Sequence, residues 1–206
     1  MMDNIKKTLA VMVMMEICCN VAFAANWQFD LTKTQINFAT PPTGLTQVTG
    51  QFSKFDGQIK GDVFDQKNMQ INFVVDVGSV NTGSKINDGV IKGSSLFNVE
   101  KYPTVSFKST SVIQTDPAHV TVQGDLTMLG VTKPIKTKVT LEKPQFDPTT
   151  KEVSINTSAD LVIRRSEWGM TGYSSFVGND IAVHTTGVMI SNNVTPEDLA
   201  KVMKVK

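Results

Sequence analysis

Met69-Gln70-Ile71-Asn72-Phe73-Val74-Val75-Asp76-Val77 is the stretch that decides the fold. Met69, Ile71, Phe73, Val75 and Val77 take every second place, and Gln70, Asn72 and Asp76 fall between them. In an extended chain successive side chains point to opposite faces, so this segment reads as a strand with one buried and one wet face. Moving outward, the same period returns. Val105 and Phe107 alternate with Ser106 and Lys108, and Val120, Val122, Leu126 and Met128 with Thr121, Gln123, Asp125 and Thr127. Ile135, Thr137, Val139 and Leu141 alternate with Lys136, Lys138, Thr140 and Glu142. Val153, Ile155, Ala159, Leu161 and Ile163 alternate with Ser154, Asn156, Ser158 and Asp160. Further strands fit 27–38, 45–60 and 180–192, about eight in all. Parallel strands buried on both faces would read as unbroken apolar runs, so the sheet is antiparallel and the chain all-β. Long strands with one apolar face must cover it. A closed barrel does so with a single sheet and removes the edges; a sandwich is the alternative that periodicity leaves open.

Helical signals are few. Ser84 to Lys92 and Ser94 to Asn98 suit short turns between strands. Over 193–206, Thr195 suits an N-cap, Pro196 the first helical position, and Glu197 and Asp198 the positive end of the dipole. Leu199, Val202 and Met203 would share one face, so a short C-terminal helical tail is expected.

At the other end, Lys6 and Lys7 precede the run Thr8 to Ile17, apolar apart from Glu16, and Ala22-Phe23-Ala24 follows. This is the layout of a secretory signal peptide over 1–24, cleaved after Ala24, and it is too short for a membrane span. Cys18 and Cys19 both fall within it, so the mature chain has no disulfide, thiolate metal site or cysteine nucleophile. Lys and Arg number 20 against 19 Asp and Glu, a net charge of +1, with the basic residues scattered. A nucleic-acid surface needs a basic stripe, so that class is excluded. No second long apolar run occurs, and no integral membrane span is expected.

Candidate chemistry is thin. His119 and His184 stand in no metal-ligand spacing. Gly78-Ser79-Val80-Asn81-Thr82-Gly83-Ser84-Lys85 resembles a phosphate loop, but its lysine follows the serine instead of the second glycine. No catalytic residues, metal or cofactor are expected. The inferred inner face is apolar: Phe38, Val48, Phe52, Phe73, Phe107, Leu126, Met128, Leu161 and Met189. Between them stand Gly50, Ser109, Gly124, Thr157, Ala159, Thr185 and Gly187. Small residues among large ones leave room for an apolar guest, or else mark bulges and barrel corners.

Four motifs occur in order. Gly50-Gln51-Phe52-Ser53-Lys54-Phe55-Asp56-Gly57 has the form G-x-F-x-x-F-x-G, and Leu96-Phe97-Asn98-Val99-Glu100-Lys101-Tyr102-Pro103 leads into Thr104 to Ser109. Val122 to Pro134 follows, with Gly124-Asp125-Leu126-Thr127-Met128-Leu129-Gly130 at its centre, and Arg165-Ser166-Glu167-Trp168-Gly169-Met170 closes the series. Together they resemble the YceI family of bacterial periplasmic proteins, from about Trp27 to about Ser191. The resemblance implies an extended antiparallel eight-stranded lipocalin-like β-barrel over 25–192. It also implies a periplasmic, non-enzymatic protein that holds a polyisoprenoid, quinone or similar long-chain amphiphile in its interior. The segment Ser84 to Gly93 keeps Asp88 but lacks the family's usual histidine, which puts the ligand's headgroup in question.

Arg164, Arg165, Glu167 and Trp168 form the most notable polar cluster. Asp88, Arg165 and Trp168 are the candidate polar contacts at a barrel mouth, where a guanidinium would pair with a pyrophosphate or carbonyl group. The competing reading gives these residues the work of finishing a strand and ordering a loop. Two functional alternatives also stay open: a ligand-free structural or stress-response protein acting through surface contacts, and an accessory to a membrane electron-transfer partner. A homodimer is compatible with either.

Overall fold

The computed structural model describes residues 26–41, 47–63 and 65–194; the expected signal peptide and the expected tail helix from Thr195 lie outside them. The strands are β1 (Gln28–Phe29), β2 (Gln35–Ala39), β3 (Thr49–Phe52), β4 (Phe55–Asp62), β5 (Asp65–Asp76), β6 (Val80–Asn81), β7 (Thr104–Asp116), β8 (His119–Met128), β9 (Val131–Leu141), β10 (Gln145–Asp147), β11 (Glu152–Arg164) and β12 (Asp180–Ser191). They make one antiparallel sheet that closes, because β12, which pairs with β1 next to β4, also pairs along its length with β11. β1 and β2 form one wall strand interrupted by a turn, β3 and β4 another, and β6 and β10 are short additions. The wall is therefore an eight-stranded barrel, which settles the choice between barrel and sandwich.

Local chemistry explains the path. β8 and β9 are joined by Leu129-Gly130, both at positive φ (53° and 75°), the two-residue turn whose twist matches that of flanking strands. Gly61, at φ 89°, sits where the β4–β5 register shifts. A Cβ there would come 2.7 Å from the Asn68 carbonyl oxygen, so the bulge needs glycine.

The helix α1 (Lys85–Lys92) forms where the sequence places it, with the Ser84 hydroxyl accepting from the Asn87 N–H at 3.4 Å. Residues 94–98 form hydrogen-bonded turns. A short 3-10 helix over Arg165–Trp168, invisible to period-2 reading, ends at Gly169 in the left-handed conformation (φ 83°). Trp168 is buried there and donates its indole N–H to the Leu126 carbonyl at 3.2 Å.

Strand directions give the barrel two unlike ends. At one, Trp27, Ile59, Met69, Val112, Val153, Ile155 and Met189 form a continuous buried cluster. The other carries the long segments 77–103 and 165–179, and a second cluster of Leu96, Leu126, Met128, Trp168 and Met170 packs one side of it. We call these the closed end and the mouth.

Candidate functional site

A cavity of about 430 Å³ runs between the two clusters. Its dimensions follow from the rungs between β11 and β12. At the closed end the inward pairs are Val153 with Ser191 and Ile155 with Met189. The next two are Thr157 with Gly187 and Ala159 with Thr185, all small, and they line the cavity. Beyond them Leu161 faces Val183 and Ile163 faces Ile181, which are half-buried and lead out to the mouth. Space lies where adjacent strands are small on the same rungs.

All nine inner-face residues named from the sequence line this cavity: Phe38, Val48, Phe52, Phe73, Phe107, Leu126, Met128, Leu161 and Met189. Phe38 and Phe52 sit with ring centroids 5.6 Å apart, Phe52 stands edge-on to Phe97 at 6.2 Å, and Phe73 tilts against Phe29 at 4.6 Å. These offset and edge geometries are the ones aromatic quadrupoles favour, so the rings brace one another.

The small residues divide into two kinds, and the expectation that they leave room needs correction for some. A Cβ on Gly50 would lie 2.6 Å from the Phe38 ring, and one on Gly124 2.5 Å from the Phe107 ring. These glycines are seats for phenylalanines and are already filled. Ser109 is buried at a shift in the β7–β8 register and accepts from the Ile71 N–H at 2.8 Å. Of the seven small residues named from the sequence, Thr157, Ala159, Thr185 and Gly187 border the open volume.

The three mouth candidates separate as well. Asp88 does not line the cavity. It accepts from the Thr82 N–H (2.8 Å) and hydroxyl (2.7 Å), and these bonds, the hydroxyl's first, hold its carboxyl below the usual aspartate range. These are the loop-ordering hydrogen bonds that one of the two sequence readings gave Asp88. Trp168 does not line the cavity either; it is buried in the cluster with Leu126, Met128 and Met170. Arg165 does line the cavity, whereas Arg164 makes the ion pairs at this strand end, 3.3 Å from Asp180 and 4.0 Å from Glu167. Arg165 is 3% exposed and binds backbone carbonyls.

Sequence reading missed the mouth itself. Asn87, Val90 and Ile91 of α1, and Tyr173, Phe176 and Val177 of the following long loop, all line the cavity. Phe176 is nonetheless 75% exposed and Tyr173 46%, so these rings form the rim of an opening. An available signal was Gly172-Tyr173-Ser174-Ser175-Phe176-Val177-Gly178: two aromatics in an uncharged loop with no period to bury them.

The histidines lie elsewhere. His119 contacts Asp116 at 2.7 Å in a closed-end turn, and His184 contacts Asp160 at 2.7 Å on the outer face. Among the described residues no three of His, Cys, Asp and Glu converge as a metal site, and no helix is long and apolar enough to cross a membrane.

An antiparallel eight-stranded barrel enclosing a mostly apolar, open-mouthed cavity defines a lipocalin-like protein. The chain belongs to the YceI family: the YceI-like domain matches residues 27–195. A UPF0312 protein of Vibrio parahaemolyticus is 31% identical over 173 residues, covering 81% of this chain and 89% of the relative. One from Photorhabdus laumondii is 32% identical over 148 residues, covering 70% and 77%. Among solved structures, BcnA of Burkholderia cenocepacia superposes with a TM-score of 0.69 at 22% identity, over 78% of this chain and 99% of that one. A polyisoprenoid binding domain from Saccharophagus degradans, implicated in plant cell wall breakdown, gives 0.61 at 16% identity, over 81% and 99%. At such identities these two show likeness of fold.

Proposed function

We propose that this protein is a periplasmic carrier that holds the chain of a polyisoprenoid, quinone or similar long amphiphile inside the barrel, with its head towards the mouth and without catalysis. The observation that carries this reading is the cavity: about 430 Å³, walled by phenylalanine and aliphatic side chains and open through an apolar rim. Each methylene moved from water into such a space contributes about 0.8 kcal/mol, so affinity grows with chain length. The polyisoprenoid binding domain of like fold supports the ligand class, and the N-terminal basic and apolar pattern supports export. Phe38, Phe52, Phe73, Phe107, Leu161 and the residues beside them would contact the chain.

The test is mass spectrometry of the protein purified from its own periplasm, under native and denaturing conditions. We expect a stoichiometric extra mass that is released on denaturation and soluble in organic solvent. A clean unliganded mass, from protein that also refuses added isoprenoids and fatty amides, overturns the proposal.

A further inference from the structure

The opening of the barrel carries apolar surface on its outside as well as within. Ile86 and Phe176 are 79% and 75% exposed, the highest values among the large apolar side chains of the described residues. Val90 and Tyr173, on the same two elements, are 37% and 46% exposed. Single exposed apolar residues are ordinary, but these four stand on the helix and the loop that bound one opening. In α1, Ile86 and Val90 are one turn apart and share a face, and Val90 also lines the cavity. Tyr173 and Phe176 belong to a stretch, Met170 to Asn179, that holds no charged side chain.

The loop presents its rings in a fixed shape. Phe176 and Val177 both donate their N–H to the Tyr173 carbonyl (2.9 and 2.8 Å), and Tyr173 takes a positive φ (55°), which is rare for a bulky residue. Arg165 donates to the carbonyls of Met170, Gly172, Val177 and Gly178 and so ties the loop down from beneath. A surface ordered in advance loses little entropy on docking. The charges of α1 suit an anionic partner. Lys85 is exposed at its start and Lys92 half-buried at its end, whereas its carboxylate, Asp88, is bonded to Thr82. In the turn that follows, Glu100 is offset by Lys101.

We propose that this rim docks on the surface of a lipid bilayer, with Tyr173, Phe176 and the Ile86 side of α1 entering the interface and the two lysines among anionic headgroups. An amphipathic helix with lysines on its polar side, beside an uncharged aromatic loop, suits a protein that lies on a membrane without spanning it. The surface stands by itself; the choice of a bilayer as its occupant rests on the carrier reading. A long apolar chain resides in membranes and not in water, because each methylene disfavours the aqueous state. Val90, Tyr173 and Phe176 are cavity wall and outer surface at once. A docked rim therefore joins bilayer and cavity by one apolar path, and the chain never crosses water. A second copy on the same rim would shut the opening instead.

The experiment is flotation of the exported, purified protein with vesicles of mixed phosphatidylethanolamine and phosphatidylglycerol, and with phosphatidylcholine vesicles. We expect the protein to float with the anionic vesicles and more weakly with the neutral ones. Ile86→Ser combined with Phe176→Ser should lower the partition about tenfold or more, in proportion to two large apolar side chains. Val162→Ser, at an apolar side chain 64% exposed on the outer wall, should leave it unchanged. All three positions are exposed, so the variants should fold, which near-ultraviolet circular dichroism checks. Wild-type protein that does not float, a double variant that floats as well as wild type, or an equal loss in Val162→Ser overturns the proposal. So does a dimer in sedimentation that the double variant dissociates, because the rim would then join two copies. Transfer of the fluorescent probe anthroyloxy-stearate from the protein to the same vesicles separates docking from the carrier reading. A rate that rises with vesicle concentration supports docking; a rate independent of it means release through water, and the proposal falls while the carrier reading stands. If the protein floats but holds no probe, the carrier reading has failed and docking stands on the flotation.

Discussion

The two ends of the barrel are built from the same strands and do opposite things. Along β11 and β12 the inward positions are buried at Val153, Ile155, Met189 and Ser191 and only half-buried at Leu161, Ile163, Ile181 and Val183. Period and hydrogen-bond ladder do not change between these places. What changes is the size of paired side chains and what lies beyond them. Trp27 and its neighbours stop the closed end, whereas at the mouth the rim of Tyr173 and Phe176 leaves a way in. A barrel thus becomes a container by being over-filled at one end and under-filled in the middle, with no change in its wall.

Truncation gives the largest expected contrast. Trp27 is 1% exposed at the centre of the closed-end cluster, and Trp27→Ala should cost about 3–5 kcal/mol, with Ile155→Ala costing about 2–5 kcal/mol. Part of such a loss comes from the new void. Leu161 already borders empty space, so Leu161→Ala should lose no more than about half as much. Urea unfolding with coincident probes measures all three. Equal losses at Ile155 and Leu161 would mean that the cavity is filled in solution and that the two regions do not differ.

Enlarging small residues sharpens the same comparison at smaller cost. Gly124→Leu must push against the Phe107 ring and the Lys108 carbonyl, both 2.5 Å from the new Cβ, and should destabilise by about 1–3 kcal/mol or more. Ala159→Leu grows into the cavity instead, so we expect stability within about 1 kcal/mol of wild type and weakened retention of any bound chain. Thermal unfolding paired with probe displacement reads both. A destabilised Ala159→Leu that keeps its ligand would show that the small rungs are structural.

This division marks how far the sequence was legible. Alternation alone places Phe38, Phe73, Leu126 and Met189 inward, because a face is a property of one strand. Whether Gly124 is a seat or a space depends on where the Phe107 ring of the neighbouring strand lies, which no single segment records. The mouth was least legible. Tyr173 and Phe176 occupy a loop without period, and its shape is held by hydrogen bonds from Arg165 to main-chain carbonyls that leave no residue-type signature. The guanidinium could be nominated from sequence as a polar contact; that it is buried without a carboxylate could not.

The smallest effect belongs to the mouth's loop-ordering carboxylate. Asp88 is held below the ordinary aspartate value of about 3.9 by the Thr82 hydroxyl and N–H. A folded-state pKa below the unfolded one stabilises the protein above the unfolded value, and that contribution fades as pH falls through the folded one. The loosening should therefore begin below about pH 4 and spare neutral pH. It should also be local, since Asp88 ties the start of α1 to residue 82, while the closed end has no share in it. Amide exchange across 82–92 should accelerate in acid before exchange in the strands around Ile155 does, and Asp88→Asn should show part of that acceleration already at pH 7. Uniform acceleration of both regions would mean that the mouth is not an independently adjustable part of the barrel, and would remove the basis for treating the two ends separately.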